Sequence, residues 1–278
     1  MSALHSEAAR TAPVRPERAN VLGVGVSRVN MTSAVDTFAR WIAEGRGGYV
    51  CIRDAHGVVL SQHDLEYRRI HNEAGMVTPD GMPLVWFCRW LGCKEVSRVY
   101  GPDLMQAVIA DERLRGRRHF FLGGGPGVAD ALARALGERY PGFAPVGMYA
   151  PPPEDTQSGI DRRSLDAIAA AKAEIVWVGL GSPKQERWMA RHFPAAGVVT
   201  MVGVGAAFDF LSGRKPQAQK WLRGTGLEWV FRLPSEPRRL ARRYLHTVPA
   251  FLYLSLLAAL GLHRVPLEDD MQKSAKDA

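Results

Sequence analysis

The chain has 278 residues and a formal charge of +8, with 46% apolar and 23% charged residues. That length is enough to bury a substantial core, and that composition excludes a disordered or wholly membrane-embedded chain. The basic excess calls for an acidic partner such as nucleic acid, anionic lipid or a phosphorylated substrate. Three cysteines, Cys51, Cys88 and Cys93, without metal-ligand spacing argue against a disulfide framework or a cysteine metal centre and predict reduced, buried thiols.

Residues 1–19 hold arginines and prolines but no apolar run of the kind a secretory signal needs, and are expected to be a disordered arm. From residue 20, short β-branched runs alternate with helical stretches. Predicted strands are Val21–Val26, Tyr49–Ile52, His119–Leu122, Val146–Tyr149, Ile175–Val178 and Val198–Val204. Predicted helices are Met31–Glu44, Asp64–Ala74, Met82–Leu91, Pro102–Leu114, Val128–Tyr140, Arg162–Ala171, Lys184–His192 and Gly205–Leu211. Such alternation implies an α/β fold, a mostly parallel Rossmann-like sheet with helices on both faces, over residues 20–213. The proline-rich stretch 151–159 reads as a surface loop within that fold.

Beyond residue 213 the character changes. A segment rich in Arg, Trp and Pro leads into VPAFLYLSLLAALGL (248–262), which carries no charge. As a helix this run is roughly 22 Å long, short of the ~30 Å hydrocarbon core. A basic helix followed by a short apolar one suits a segment lying in the membrane interface with arginines on lipid phosphates, or a helix packed on the main domain. Residues 214–265 are therefore expected to be a basic and apolar helical appendage, and 266–278 a polar, disordered tail.

Three predicted strands run into glycine turns: FFLGGGPGVAD (120–130), VGLGSPKQE (178–186) and VGVGAAFDF (202–210). Ligands of open α/β sheets sit beyond the carboxyl ends of the strands, so three such turns favour a nucleotide or phosphate site. None is a Walker A loop, and Gly123 to Gly127 lack the GxGxxG spacing, which counts against a nicotinamide dehydrogenase. In IVWVGLGSPKQERWM (175–189), Gly181 allows a tight turn, and free N–H groups at the helix start, with Lys184, Gln185 and Glu186, suit an anion. The same letters also read as a plain capping box between Ser182 and Gln185. Asp80, in TPDGMPLVW, is either a turn residue that caps the next helix or a catalytic carboxylate. Asp209 either accepts from a ligand hydroxyl or caps its own helix. His56 is a packed histidine or a second base, and Trp188, Trp221 and Trp229 are packing residues or a stacking surface.

Four ordered motifs, TPDGMPLVW, VGLGSPKQERW, GVGAAFDFLSG and GLEWVFRLPSEPRRLARRYL, resemble those of the WecG/TagA/CpsF glycosyltransferases, family 26, over about residues 20–247. The resemblance implies an inverting, metal-independent enzyme with no cofactor, using a UDP-sugar donor and a polyprenyl-diphosphate-linked sugar acceptor in bacterial exopolysaccharide or cell-surface polysaccharide synthesis. It implies a peripheral location on the cytoplasmic face of the inner membrane. Nucleic-acid binding would explain the charge, but the basic residues adjoin an apolar helix instead of interleaving with stacking aromatics on a sheet. The wording of DGMPLVW and the His56-Gly57 neighbourhood is similar to the exopolysaccharide branch, including xanthan-type glucosyltransferases, more than to the N-acetylmannosaminyl branch.

By the same resemblance Asp80 is the catalytic base. Gly124, Gly125, Gly181, Lys184, Gln185, Glu186 and Asp209 then bind substrate, together with Arg232, Arg238, Arg239, Arg242 and Arg243 of the appendage. Helical spacing puts Arg238 with Arg242, and Arg239 with Arg243, on neighbouring stripes. One stripe can face diphosphate and the other lipid. The chain departs from the family where a Thr, often with an Asn, commonly follows the second strand: here VCIRDAHG offers Arg53, Asp54 or His56 instead. Gln219 stands where a proline is common. Alternatives are a non-catalytic nucleotide-sugar-binding subunit of an assembly complex, and an N-acetylmannosaminyltransferase of the same family.

Overall fold

The computed structural model describes residues 14–152, 159–217, 231, 237–263 and 265–267. Its strands are β1 (Arg18–Val21), β2 (Val24–Ser27), β3 (Tyr49–Arg53), β4 (Met76–Pro79), β5 (His119–Gly123), β6 (Gly147–Tyr149), β7 (Ile175–Gly179) and β8 (Thr200–Gly203). The helices are α1 (Met31–Glu44), α2 (Ala55–His63), α3 (Leu65–Glu73), α4 (Met82–Trp90), α5 (Gly101–Ala110), α6 (Val128–Arg139), α7 (Arg162–Ala170), α8 (Lys184–His192), α9 (Ala207–Leu211) and α10 (Pro237–Ala259).

Strands β3 to β8 form one six-stranded parallel sheet in the order β4-β3-β8-β7-β5-β6. The connection after β5 runs outward to β6 while that after β7 runs the other way to β8, so the topology switches between β5 and β7. Alternate side chains of buried strands pack on opposite layers. Val50, Phe121, Trp177 and Val202 meet α1, α5, α6 and α9, whereas Cys51, Leu122, Val178 and Met201 meet α3, α7 and α8. This is the expected two-faced α/β architecture.

Several local expectations change. The single strand expected over Val21–Val26 is a hairpin, β1 and β2 paired antiparallel around Leu22-Gly23. Residues 14–19, expected in the arm, are held: the Trp41 indole donates to the Val14 carbonyl at 3.1 Å, and Arg18 donates to the Asn72 carbonyl at 2.7 Å. Pro102–Leu114 divides into α5 and a short 3₁₀ turn, Glu112–Leu114. Strand β4 and helix α2 were not foreseen. All three cysteines are free and buried, as expected.

A third apolar cluster joins the hairpin, α2, α4 and α10 through Val21, Val24, Val58, Leu84, Phe87 and Phe251. Among the described residues, Arg242, Arg243 and most of the apolar stretch thus share one continuous helix, α10, with Pro249 inside it, packed on the α/β unit. Among the described residues no helix is long and apolar enough to cross a membrane.

Candidate active site

The carboxyl ends of the parallel strands bring Asp80, Gly124, Gly125, Gly181 and the start of α8 to one edge. At the switch point the turns after β5 and β7 touch. The Gly124 amide donates to the Gly179 carbonyl at 3.1 Å, and a Cβ on Gly123 would lie 2.8 Å from Gly179 backbone, so only glycine fits there. Gly124 is half-buried and Gly125 exposed. From beyond α9, Arg214 donates to the Pro126 carbonyl at 2.9 Å and so lies against this loop.

Beside the β7 turn sits a buried polar cluster. Arg53, the last residue of β3, is 3% exposed, and its Nη2 lies 2.6 Å from Oε1 of the fully buried Glu186. Its Nη1 donates to the Tyr67 hydroxyl, which in turn lies 2.9 Å from Ser182 Oγ. Burial alone disfavours a charged guanidinium, but the Glu186 carboxylate outweighs it, and the Arg53 pKa is raised. The Tyr67 hydroxyl is pushed up chiefly by burial.

This cluster corrects the capping-box expectation. Pro183, not Ser182, is the N-cap of α8, and no side chain caps it; the Ser182 hydroxyl is turned to Arg53 and Tyr67 instead. Gln185, 3% exposed, donates from Nε2 to Glu186 Oε1 at 3.0 Å and packs beside Gly203 and Gly205. Its Oε1 and Glu186 Oε2 are buried without a hydrogen-bond partner among the described residues. Lys184 is exposed at the helix start, next to the half-buried Gly181.

Asp80 stands at the end of β4, half-buried. Its amide donates to the Arg53 carbonyl at 2.7 Å, and its Oδ1 accepts from Arg98 Nη2 at 3.0 Å. Arg98 also lies over the Tyr100 ring, 4.4 Å from its centroid. The side chain of Asp80 does not cap α4, whose N-cap is Gly81. Arg98 was missed in the sequence because nothing in a spacing of 18 residues marks it as a partner.

Gly81 also lies against Asp54, where a Cβ would be 3.5 Å from the Asp54 Cβ. Asp54 caps α2 through the Gly57 amide at 3.0 Å and pairs with Arg243 of α10. Burial works to raise the Asp54 pKa, but Arg243 and then Arg53 prevail and hold it at about 2. Two positions on, His56 Nδ1 lies 2.9 Å from Thr247 Oγ1 of α10, and burial, then Arg243, lower its pKa. The arginine helix therefore meets the end of β3 next to Asp80.

Of the other arginines, Arg242 is exposed, the side chains of Arg238 and Arg239 are outside the described residues, and so is Arg232. Gln219, Trp221 and Trp229 also lie outside them. Asp209, in the first turn of α9, pairs with Lys215 at 3.2 Å. Trp188 is core, 1% exposed. Among the described residues no three His, Cys, Asp or Glu side chains cluster as a metal site.

A parallel sheet whose carboxyl edge gathers glycine turns, a pinned carboxylate and an arginine-bearing helix has its ligand crevice where open α/β sheets bind theirs. Residues 19–265 match the model of the WecG/TagA/CpsF glycosyl transferase family, and the chain belongs to that family; it is a glycosyltransferase. Its relatives include N-acetylglucosaminyldiphosphoundecaprenol N-acetyl-beta-D-mannosaminyltransferases of Staphylococcus aureus. Those of strains MW2 and NCTC 8325 / PS 47 are each 24% identical to it over 238 residues, 85% of this chain and 91% of theirs.

Proposed function

We propose that the enzyme is an inverting transferase that moves a sugar from a UDP-linked donor to a polyprenyl-diphosphate-linked sugar, without a metal, at the cytoplasmic face of the membrane. The product would serve exopolysaccharide or other surface-polysaccharide synthesis. The observation that carries this reading is the meeting of Asp80, the β3 end and Arg243 of α10 around Asp54.

In this reading Asp80 is the general base. Arg98 fixes the carboxylate, which takes the proton of an acceptor hydroxyl as that oxygen attacks the anomeric carbon. The bond from that carbon to the diphosphate breaks on the opposite face, and the nucleoside diphosphate leaves with the electron pair. Its charge is met by the turns that carry Gly124, Gly125 and Gly181, by Lys184 and Gln185, and by appendage arginines drawn from Arg232, Arg238, Arg239, Arg242 and Arg243. Glu186 serves from beneath, by holding Arg53, and Asp209 faces the same edge from α9. The names of the relatives favour N-acetylmannosamine as the donor sugar. The Arg53-Asp54-Ala55-His56 segment, where the family commonly has a Thr, favours a different one.

The test is a screen of UDP-sugars, UDP-glucose and UDP-N-acetylmannosamine included, with a short-chain prenyl-diphosphate sugar acceptor and excess EDTA, following product by mass. The expected result is one added sugar residue per UDP released. A chain that binds UDP yet gives no product with any donor would support the non-catalytic subunit instead. Activity restored only by a divalent cation would overturn metal independence.

A further inference from the structure

The membrane reading concerns α10, but the apolar surface does not stop there. Helix α4 buries Leu84, Val85, Phe87 and Cys88 and leaves Trp86 and Trp90, one turn apart, 52% and 57% exposed, followed by the exposed Leu91. On α10 the outward residues Leu245, Val248, Leu252 and Leu256 recur every three or four positions, so they form one apolar stripe, and the exposed Leu260 follows just past the helix end. The two surfaces are joined by a ring chain. Trp90 lies 5.4 Å from Phe87, and Phe87 lies 6.1 Å from Phe251 of α10, the neighbour of Leu252.

We propose that Trp86 and Trp90 of α4 sit in the headgroup layer of an anionic bilayer, so that the membrane-contacting surface spans the α/β domain as well as α10. Indole rings prefer that layer because they combine an apolar body with an N–H donor. The charges around them agree. Arg89 and Lys94 are exposed beside the tryptophans and Arg242 is exposed on α10, while the nearby Glu95 is paired with Arg28 at 2.7 Å. A second copy of the chain placed symmetrically on this surface would set like charges together, whereas anionic lipid neutralises them.

The placement also suits the proposed chemistry, on which this inference rests. Asp80 lies two residues before Met82, the start of α4, and from there to Trp90 the helix axis runs about 12 Å at 1.5 Å per residue. Contact at the tryptophan end would hold the base close to a sugar whose lipid tail stays in the bilayer.

The test is sedimentation of the full chain with phosphatidylcholine vesicles, with and without phosphatidylglycerol. Replacing both half-exposed rings, Trp86→Ser with Trp90→Ser, should weaken binding to the anionic vesicles about tenfold or more, given the apolar area lost. Ile160→Ser, at an exposed apolar residue before α7, should bind as the parent does. If the double variant melts early, Trp90→Ser alone should show a smaller loss of binding at an unchanged melting temperature. Parental binding by the tryptophan variants overturns the proposal. So does a stable dimer in lipid-free solution that the same variants dissociate, which would assign the surface to a second copy. Transfer from the screened UDP-sugars to the short-chain prenyl-diphosphate sugar is measured alongside. Its absence in the parent chain would fault the functional reading, whereas the vesicle result alone decides this one.

Discussion

Replacing Glu186 by Gln is the most exacting test of the polar cluster under the β7 turn. The change keeps the shape of the side chain and removes its charge, while Arg53, 3% exposed and 2.6 Å from the lost carboxylate, stays buried as an unbalanced cation. Breaking one partner of a buried pair in this way costs about 3–5 kcal/mol. Against a total folding stability of about 5–15 kcal/mol, that is a large fraction. Arg53→Met combined with Glu186→Leu removes both charges, and apolar replacement of a whole pair is often close to neutral. The double variant should therefore recover most of the stability that Glu186→Gln loses. It should still transfer sugar poorly, because Ser182 and Tyr67 lose the guanidinium that ties the β7 turn to β3. Urea unfolding followed by circular dichroism gives the stabilities. A Glu186→Gln protein within about 1 kcal/mol of the parent would refute the claim that Arg53 depends on this carboxylate.

Asp54→Asn should retain the cap on α2 but lose the ion pair to Arg243. The pair is partly exposed, so the cost is only about 1 kcal/mol, read as faster amide exchange in α10; unchanged exchange would mean that the pair does not hold the helix. Because the Asp54 carboxyl is held down at about 2, below its ordinary 3.8, the contribution is full above that ordinary value. It fades only as pH falls towards about 2. Burial holds His119 neutral, lowered from 6.5 to about 4, with Nδ1 accepting the Trp177 indole N–H at 3.0 Å. The unfolded chain takes up a proton below pH 6.5 that the folded chain refuses. Stability should then decline on acidification from pH 6.5 to 4, by about 3 kcal/mol from this group. Urea midpoints that stay flat over that window would contradict the assignment.

The sheet was largely legible because β3, β5, β7 and β8 are short, mostly apolar runs ending in glycine or a charged residue. Helix α1 was found to the residue, since Asn30 and Ser33 form a capping box and Gly45 ends it. Helix α2 was not, because AHGVVLSQH contains a glycine and two valines, both poor local signals for helix. The reason for that glycine is tertiary: a Cβ on Gly57 would lie 2.5 Å from Arg53 Nη1. Ser182 looked like a cap for the same reason. Its actual partner, Arg53, lies 129 residues away and competes for the hydroxyl in a way that no local pattern records. The Leu22-Gly23 break between β1 and β2 was visible as a glycine and was overlooked within a β-branched run. Asp80 was singled out from its turn and from the family motif, whereas its Arg98 partner required the fold.

The measurement closest to the central claim is the turnover of Asp80→Asn, with UDP affinity and melting temperature measured on the same protein. Asparagine preserves the shape of the side chain and its contact with Arg98 but cannot accept the acceptor proton. The account predicts a folded protein that binds UDP as the parent does and transfers sugar about 10²–10⁴ times more slowly. Near-parental turnover by folded Asp80→Asn would contradict it.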